Sequence, residues 1–347
     1  MGEVLLPGLT QDHVEQLEDR LRTFLGSREL PLYRMMAYQM GWVDQNGEPA
    51  MAGEVRHERL HAQLAMSTAS ALGASPESAI DFALSIELAH HASLVHEDVE
   101  DGNTDRAGRP TVWWTWGPAQ AINAGDGMQA MARLSLFAIL DGSQPRERVS
   151  AALEALDDAV LSRCEGEYLD IAYQERLTLS TEQYLEMAAG RTGSLLGGAT
   201  MLGAVAAGVV DKSVLHAIRE FGRKIGAARQ VGLDIESLWG ERDVSSQGRL
   251  ISKKKNLAIV YAIEHGDATL RRKLGELYMQ RVLDPGMIGE VAALADSAGG
   301  RDFCLKSVTG LIDEAQRALS AGGFEGNQQA QLMGCAAALV EVGRNLG

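Results

Sequence analysis

Lysine is absent from the first 211 residues, the earliest being Lys212. No segment in that stretch can hold an anion with an ammonium group. Cysteine is scarce: Cys164, Cys304 and Cys335 are the whole complement. An odd number without metal-ligand spacing argues against a disulfide framework or a thiolate zinc centre, and predicts buried thiols in a reducing compartment. Only 8 prolines are present and β-branched alternation is rare, which disfavours a β architecture. No run approaches the roughly 18 uninterrupted apolar residues of a membrane span. Met1 to Pro7 lacks the basic start and apolar core of a secretory signal, so a cytoplasmic protein is expected. Positive charge is short overall, and a net charge of -15 opposes long-range attraction to nucleic acid or an anionic membrane.

What is present is helical periodicity. Val14, Leu17, Leu21 and Leu25 mark one face of an amphipathic helix. Similar patterns over 60–72, 80–96, 120–140, 149–173, 181–208, 212–232, 270–277, 287–298, 303–319 and 328–346 predict an all-α bundle of ten or more helices. Turn residues at 44–49, 141–145 and 321–323 separate them. With no internal repeat and no dividing linker, one domain over 1–347 is predicted: an N-terminal helix (1–30), a core (31–265) and C-terminal helices (266–347).

Against this background, Glu97-Asp98-Val99-Glu100-Asp101 stands out: four carboxylates in five residues follow the apolar stretch from Ala89 to Val95. On a helix, Glu97 and Asp101 share a face with Asp98 beside them, and such like charges repel by a few tenths of a kcal/mol. Partial burial raises that cost. A hard divalent cation removes it, and Mg²⁺ is commonly held by one or two carboxylates plus substrate phosphates.

The segments 90–101, 106–113 (Arg-Ala-Gly-Arg-Pro-Thr-Val-Trp) and 121–126 together resemble the trans-polyprenyl diphosphate synthase family, with a first Asp-rich motif that ends in an Arg-Arg-Gly-x-Pro-Thr segment. The resemblance runs from about Tyr33 to about Tyr261. It implies an isoprenoid synthase bundle around a deep central cavity, two or three Mg²⁺ ions, an allylic prenyl diphosphate substrate and a homodimer. Glu97, Asp98 and Asp101 become metal ligands, and Arg106, Arg191 and Lys254 diphosphate cations. Asp98, Arg106 and Glu167 are the expected catalytic groups; Ala92, Ser93, Thr192 and Gln230 line the substrate pocket. Glu167 replaces the family's Gln in Gly-Gln-x-x-Asp, and would act as a base or pair with Arg191. Ala92 stands where a bulky residue closes the hydrocarbon pocket, which favours C20 within a C15–C20 range.

The chain departs from the family at two places. Around Gln230 to Gly240, Leu233 and Ser237 replace two of three expected second-motif aspartates, leaving Asp234. Asp234, Ser237 and Glu241 alternatively fit part of the N-D-x-x-S-x-x-x-E metal motif of class I terpene synthases, Ser237 and Glu241 lying one turn apart. The acceptor segment Gly-Lys-Arg-x-Arg-Pro reads His57-Glu58-Arg59-Leu60-His61-Ala62, and the second arginine of the Arg-Arg pair is Ala107. Reversing one unit charge there is worth ~4 kcal/mol at 4 Å and an effective dielectric of about 20.

One diphosphate site therefore reads as kept and the isopentenyl site as lost. The leading expectation is a class I terpene synthase that ionises an allylic diphosphate without isopentenyl diphosphate. The alternatives are transfer to another acceptor, a non-catalytic partner subunit, and a chain-elongating synthase in which other cations replace the lost ones. Trp113, Trp114 and Trp116 are expected to be core residues rather than cation-stabilising rings, and His90, His91 and His96 to be structural rather than zinc ligands.

Overall fold

The computed structural model describes residues 4–26, 28–50, 57–139, 145–176, 178–240, 244–278 and 283–345. Among these, helix dominates, with one two-stranded hairpin, so the all-α expectation holds. Two compact units divide the chain: 1–158 with 198–215 and 330–332, and 159–197 with 216–329 and 333–347.

In the first unit, α1 (Gln11–Gly26) buries Leu17, Leu21 and Leu25, the face its periodicity predicts. Each such burial contributes about 1.5–3 kcal/mol. α2 (Pro31–Gln39) starts on a proline, which suits the first helical turn, where an N–H would have no partner. At nine residues it spans too few turns for hydrophobic periodicity to mark it in the sequence. α3 (Leu60–Ala71) and α4 (Ile80–Asp101) pack together, and α4 is buried on every side from Phe82 to Ala89. A helix covered on all sides is a core helix, and its buried polar groups are bonded within the unit, as Ser85 Oγ is to the Phe82 carbonyl and Glu87 Oε2 to Ala62 N. It ends at Gly102, whose φ of 68° forms a left-handed cap with its N–H on the Asp98 carbonyl. The turn leads into the antiparallel strands β1 (Asp105–Arg106) and β2 (Arg109–Pro110), the short α5 (Val112–Trp116), and α6 (Pro118–Ala138), which lies along α4. α7 (Arg146–Gln174) begins in this unit.

The second unit takes the rest of α7, α8 (Thr181–Ala188) and the start of α9 (Ser194–Ala206). The sequence predicts one helix over 181–208. The structure instead inserts a wide π turn at Ala189–Gly193 between α8 and α9, a device that re-aims a side chain, here Arg191. A Cβ on Gly166 of α7 would lie 2.2 Å from the Arg191 backbone nitrogen, so only glycine lets that turn close on α7. α10 (Lys212–Trp239) outlasts its predicted end at 232 and carries Asp234 and Ser237 on its last turns. α11 (Val244–Ile251) and α12 (Leu257–His265) follow, α12 packing on α8, α14 (Ile288–Ser297) and α15 (Gly300–Ala321). α13 (Ala268–Tyr278) and α16 (Gly326–Asn345) complete the list. Cys304 and Cys335 are buried as expected; Cys164, on the outer face of α7, is exposed. No helix among the described residues is long and apolar enough to cross a membrane.

Candidate active site

The candidate residues fall into two constellations, one in each unit. The first sits at the C-terminal end of α4. Asp98 is 1% exposed, and burial pushes its carboxyl up despite the opposing pull of Arg106. Arg106 reaches back from β1: its Nη2 lies 2.6 Å from Asp98 Oδ1 and 3.2 Å from Glu97 Oε1, and its Nε donates to the same Asp98 oxygen at 2.9 Å. Burial opposes the guanidinium's charge, but Glu97 and Asp98 hold it protonated beyond its usual range.

Backbone chemistry aims this arginine. Arg106 pairs with Arg109 across a two-residue turn, Ala107-Gly108, in which both φ angles are positive (53° and 75°), as in a type I′ hairpin. Arg109 anchors the far strand, with Nη2 2.9 Å from the Val43 carbonyl and its guanidinium 4.0 Å from the Tyr38 ring centroid. Asn103 ties the turn down: its carbonyl accepts from Thr111 Oγ1 (2.8 Å) and Trp113 Nε1 (2.6 Å), and its amide reaches Asp98 Oδ1 at 3.3 Å. Asp101, one turn beyond Glu97, is half-buried at the helix end.

The donor set suits Mg²⁺ in chemistry: hard carboxylate oxygens, one of them buried at a cost that a cation would offset. No three His, Cys, Asp or Glu side chains among the described residues converge as a metal cage. Mg²⁺ does not need one, since it takes one or two carboxylates and completes its shell with phosphate and water.

The second constellation is a buried ion cluster. Glu167 Oε2 accepts from Arg163, one turn earlier on α7, and from Arg191 Nε at 3.2 Å, with Lys254 Nζ 3.5 Å from Oε1. Asp170, fully buried, meets Lys254 Nζ at 2.9 Å, Arg249 Nη2 at 3.0 Å and Arg191 Nε at 3.5 Å. Burial would raise its carboxyl, but Arg249, Arg191 and Lys254 hold it well below the usual carboxylate range. Four cations (Arg163, Arg191, Arg249, Lys254) thus meet two carboxylates (Glu167, Asp170) in this cluster. Glu167 is paired with Arg191, one of its two expected roles. Arg163 and Arg249 are not among the residues expected from sequence, although Arg163 at four residues from Glu167 carries the spacing of a helical ion pair.

The second metal position is built differently. Asp234 Oδ2 accepts from the Tyr184 hydroxyl and from Leu257 N (2.9 Å), where it caps α12, and Oδ1 accepts from Gln230 Nε2 at 3.2 Å. Ser237 Oγ donates to the Asp234 carbonyl (2.8 Å) and accepts from Asn256 Nδ2 (3.2 Å). Burial lifts the Asp234 carboxyl to about 6 against these donors. Neutral donors fixed in the fold satisfy both residues, and this set does not fit a metal ion. Glu241 lies outside the described residues. Gln230 also joins Thr192 Oγ1 (2.8 Å) and Arg191 Nη1 (3.3 Å).

Of the remaining expectations, Ala92 is fully buried on α4 and Ser93 bonds its own helix at the His90 carbonyl. Trp113 and Trp116 pack on the core around Tyr38, as expected, whereas Trp114 is exposed. His96 Nε2 lies 3.2 Å from the Ile122 carbonyl, seated over Gly125 of α6. His90 and His91 meet His57 and His61 in a row of rings.

Comparison with known proteins places this architecture. The chain is 33% identical to the (2E,6E)-farnesyl diphosphate synthase of Mycobacterium tuberculosis over 302 residues, covering 85% of this chain and 82% of that protein. It is 30% identical to the geranylgeranyl diphosphate synthase of the same organism, over 86% of this chain and 84% of that one. The crystal structure of a polyprenyl synthetase from Streptomyces coelicolor A3(2) superposes with a TM-score of 0.84 at 29% identity, over 95% of this chain and 98% of the other. The helical fold is thus that of the isoprenoid synthases. The polyprenyl synthetase family profile matches residues 56–294, a span that holds both constellations, and the chain belongs to that family.

Proposed function

We propose that the chain is a short-chain prenyl diphosphate synthase, joining an allylic prenyl diphosphate in the C15–C20 range to isopentenyl diphosphate. The single observation that carries this reading is the 33% identity to a farnesyl diphosphate synthase over 82% of that protein's length. It reverses the order expected from sequence, in which a terpene synthase stood first: the relatives named above are chain-elongating enzymes by name. The retained acids and their arginine support a catalytic protein over a silent partner subunit.

In this reading the bond between the allylic carbon and oxygen breaks, and its electron pair leaves with diphosphate. The resulting allyl cation accepts the π electrons of the acceptor, forming the new carbon–carbon bond, and a proton leaves. Mg²⁺ bound at Glu97, Asp98 and Asp101 would supply Lewis-acid neutralisation of the leaving group. Arg106 beside these acids provides a fixed cation for that charge, and Arg191 and Lys254 of the second unit are carried forward as diphosphate-binding cations. Asp234 and Ser237 hold α10 to α12 and take no part in metal binding. A homodimer and a cytoplasmic location are carried forward with this proposal, the first testable by light scattering.

A second reading, acceptor-independent terpene synthesis, is favoured by one feature. Glu58, His61 and Ala107 stand where cations would hold isopentenyl diphosphate, and Arg59 there is engaged by Glu18, the Met40 carbonyl and His91. Incubation with Mg²⁺ and allylic diphosphates of each length, with and without isopentenyl diphosphate, separates the two. Elongated product only with isopentenyl diphosphate supports the synthase. Hydrocarbon or alcohol released without it overturns elongation in favour of the second reading, and no diphosphate release under any condition overturns both.

A further inference from the structure

Glu167 and Asp170, one turn apart on α7, face the same two cations. Arg191 Nε lies 3.2 Å from Glu167 Oε2 and 3.5 Å from Asp170 Oδ2. Lys254 Nζ lies 3.5 Å from Glu167 Oε1 and 2.9 Å from Asp170 Oδ2. Each cation is thus met by two acids. Glu167 Oε2 also accepts from Arg163, buried one turn earlier on the same helix. Glu167 Oε1 accepts no hydrogen bond among the described residues, so its effect on Lys254 is that of its charge. The π turn fixes the meeting: Arg191 is its third residue, and the turn closes on Gly166, the neighbour of Glu167. With cations at both oxygens, Glu167 is poorly placed to act as a base, the other role expected of it. Asp170 by itself gives both cations a partner. What the second acid adds is its negative charge beside Arg191 and Lys254.

We propose that Glu167 is a positioning residue that loosens the hold of Arg191 and Lys254 on diphosphate, with Arg163 as its counter-charge. The proposal deepens the function given above and rests on the reading of Arg191 and Lys254 as diphosphate-binding cations.

The chemistry gives such a device a use. Diphosphate is drawn off the allylic carbon and must then leave as a product, and cations that grip it too tightly slow its release. An anion accepting from another edge of the same guanidinium stands about two hydrogen-bond lengths from the carboxylate, roughly 6 Å. A unit charge at that distance alters affinity about a hundredfold at an effective dielectric of about 20, and about tenfold at about 40. Arg163 opposes part of this effect, because it neutralises the carboxylate from its own helix. A glutamine in place of Glu167 fills the same volume without the charge.

The test titrates inorganic diphosphate into the intact protein by calorimetry at constant Mg²⁺, beside steady-state kinetics. Glu167→Gln should bind diphosphate about tenfold tighter, with the KM for the allylic diphosphate falling in step. Glu167→Asp, which keeps the charge, should keep close to wild-type affinity. Arg163→Gln should weaken binding, the opposite sign, which a loss of packing at the two positions does not produce. Should Glu167→Gln fail to fold, the charge is removed together with its partner. The double variant Arg163→Gln/Glu167→Gln should then bind about tenfold tighter than Arg163→Gln alone. Unchanged or weaker binding on loss of the Glu167 charge, with Arg191→Gln still weakening it, overturns the inference and leaves the two cations as diphosphate ligands. Binding indifferent to both Arg191→Gln and Lys254→Gln overturns that reading of the cations, and the inference with it.

Discussion

Asp98 and Asp234 are both buried aspartates near a helix end, and burial raises both, yet their surroundings assign them opposite tasks. Asp98 is met by the guanidinium of Arg106, delivered on a two-residue hairpin turn and itself about one-third exposed. Asp234 is met by a tyrosine hydroxyl, a glutamine amide and a helix-capping N–H, all part of the packed fold. A carboxylate whose partner sits on an exposed turn can exchange that partner for a ligand. One whose partners are the fold itself cannot. The motif position alone would have given both the same role.

The strongest way to break this contrast is at Asp98. Asp98→Ala should lower turnover by about three orders of magnitude, the scale seen when a group stabilising developing charge is removed. Removing one of several repelling acids should leave the melting temperature unchanged or raised. Wild-type turnover in a folded Asp98→Ala protein would reduce the acidic cluster to a solvated helix end.

Asp234 should fail the opposite way, in stability. Its carboxyl is raised from about 3.8 to about 6 on folding, so between those values the folded state holds a proton that the unfolded state has released. Stability should therefore fall as pH rises through that window, by about 3 kcal/mol in all, and level off above it. Asp170 and Glu18 are lowered on folding and contribute with the reverse sign, so the readout is the difference between wild type and Asp234→Asn. Denaturant unfolding from about pH 4 to 7 should show the variant lacking that fall. A difference curve that is flat, or that rises with pH, would mean that burial does not govern this group, and a loss of Mg²⁺ dependence in Asp234→Asn would return it to the metal site.

Between these lies Ala92, five residues before Glu97 and fully buried. Ala92→Phe should cost the C20 substrate one to two orders of magnitude in kcat/KM, since overpacking costs roughly 1–3 kcal/mol and each 1.4 is about tenfold. C15 and C10 substrates should change little. Equal losses for every length would show that Ala92 packs within the unit and lines no pocket.

Much of this was readable from residues near each other in the chain. Periodicity gave α1, α4, α6, α7 and α10, and the acids at 97–101 with Arg106 lie within ten positions. Elements as short as α2, α11 and α12 hold too few periods to stand out from a loop. What closes over long sequence distance was hidden: Tyr184 on Asp234, Arg249 on Asp170, and His57 and His61 beside His90 and His91. A lone histidine reads as a core residue until its neighbours from another helix are in place. The π turn at Ala189–Gly193 was equally silent, because helical periodicity runs through it almost undisturbed.

The smallest effect tests the turn that carries Arg106. Ala107 has a φ of 53°, a left-handed conformation that costs a residue with a Cβ roughly 1–2 kcal/mol. Glycine adopts it without strain but gives up more entropy on folding. The net gain for Ala107→Gly should be under about 1 kcal/mol. Asparagine, which tolerates this region and suits the first position of a type I′ turn, should match or exceed it. The gain should appear in thermal unfolding with Mg²⁺ dependence unaltered, because the Arg106–Asp98 contact already exists in the strained form. Destabilisation by both substitutions would show that the Ala107 methyl makes packing contacts worth more than the strain. Arg106 would then be held by packing of the turn, and the exchangeable character assigned to its contact with Asp98 would fall.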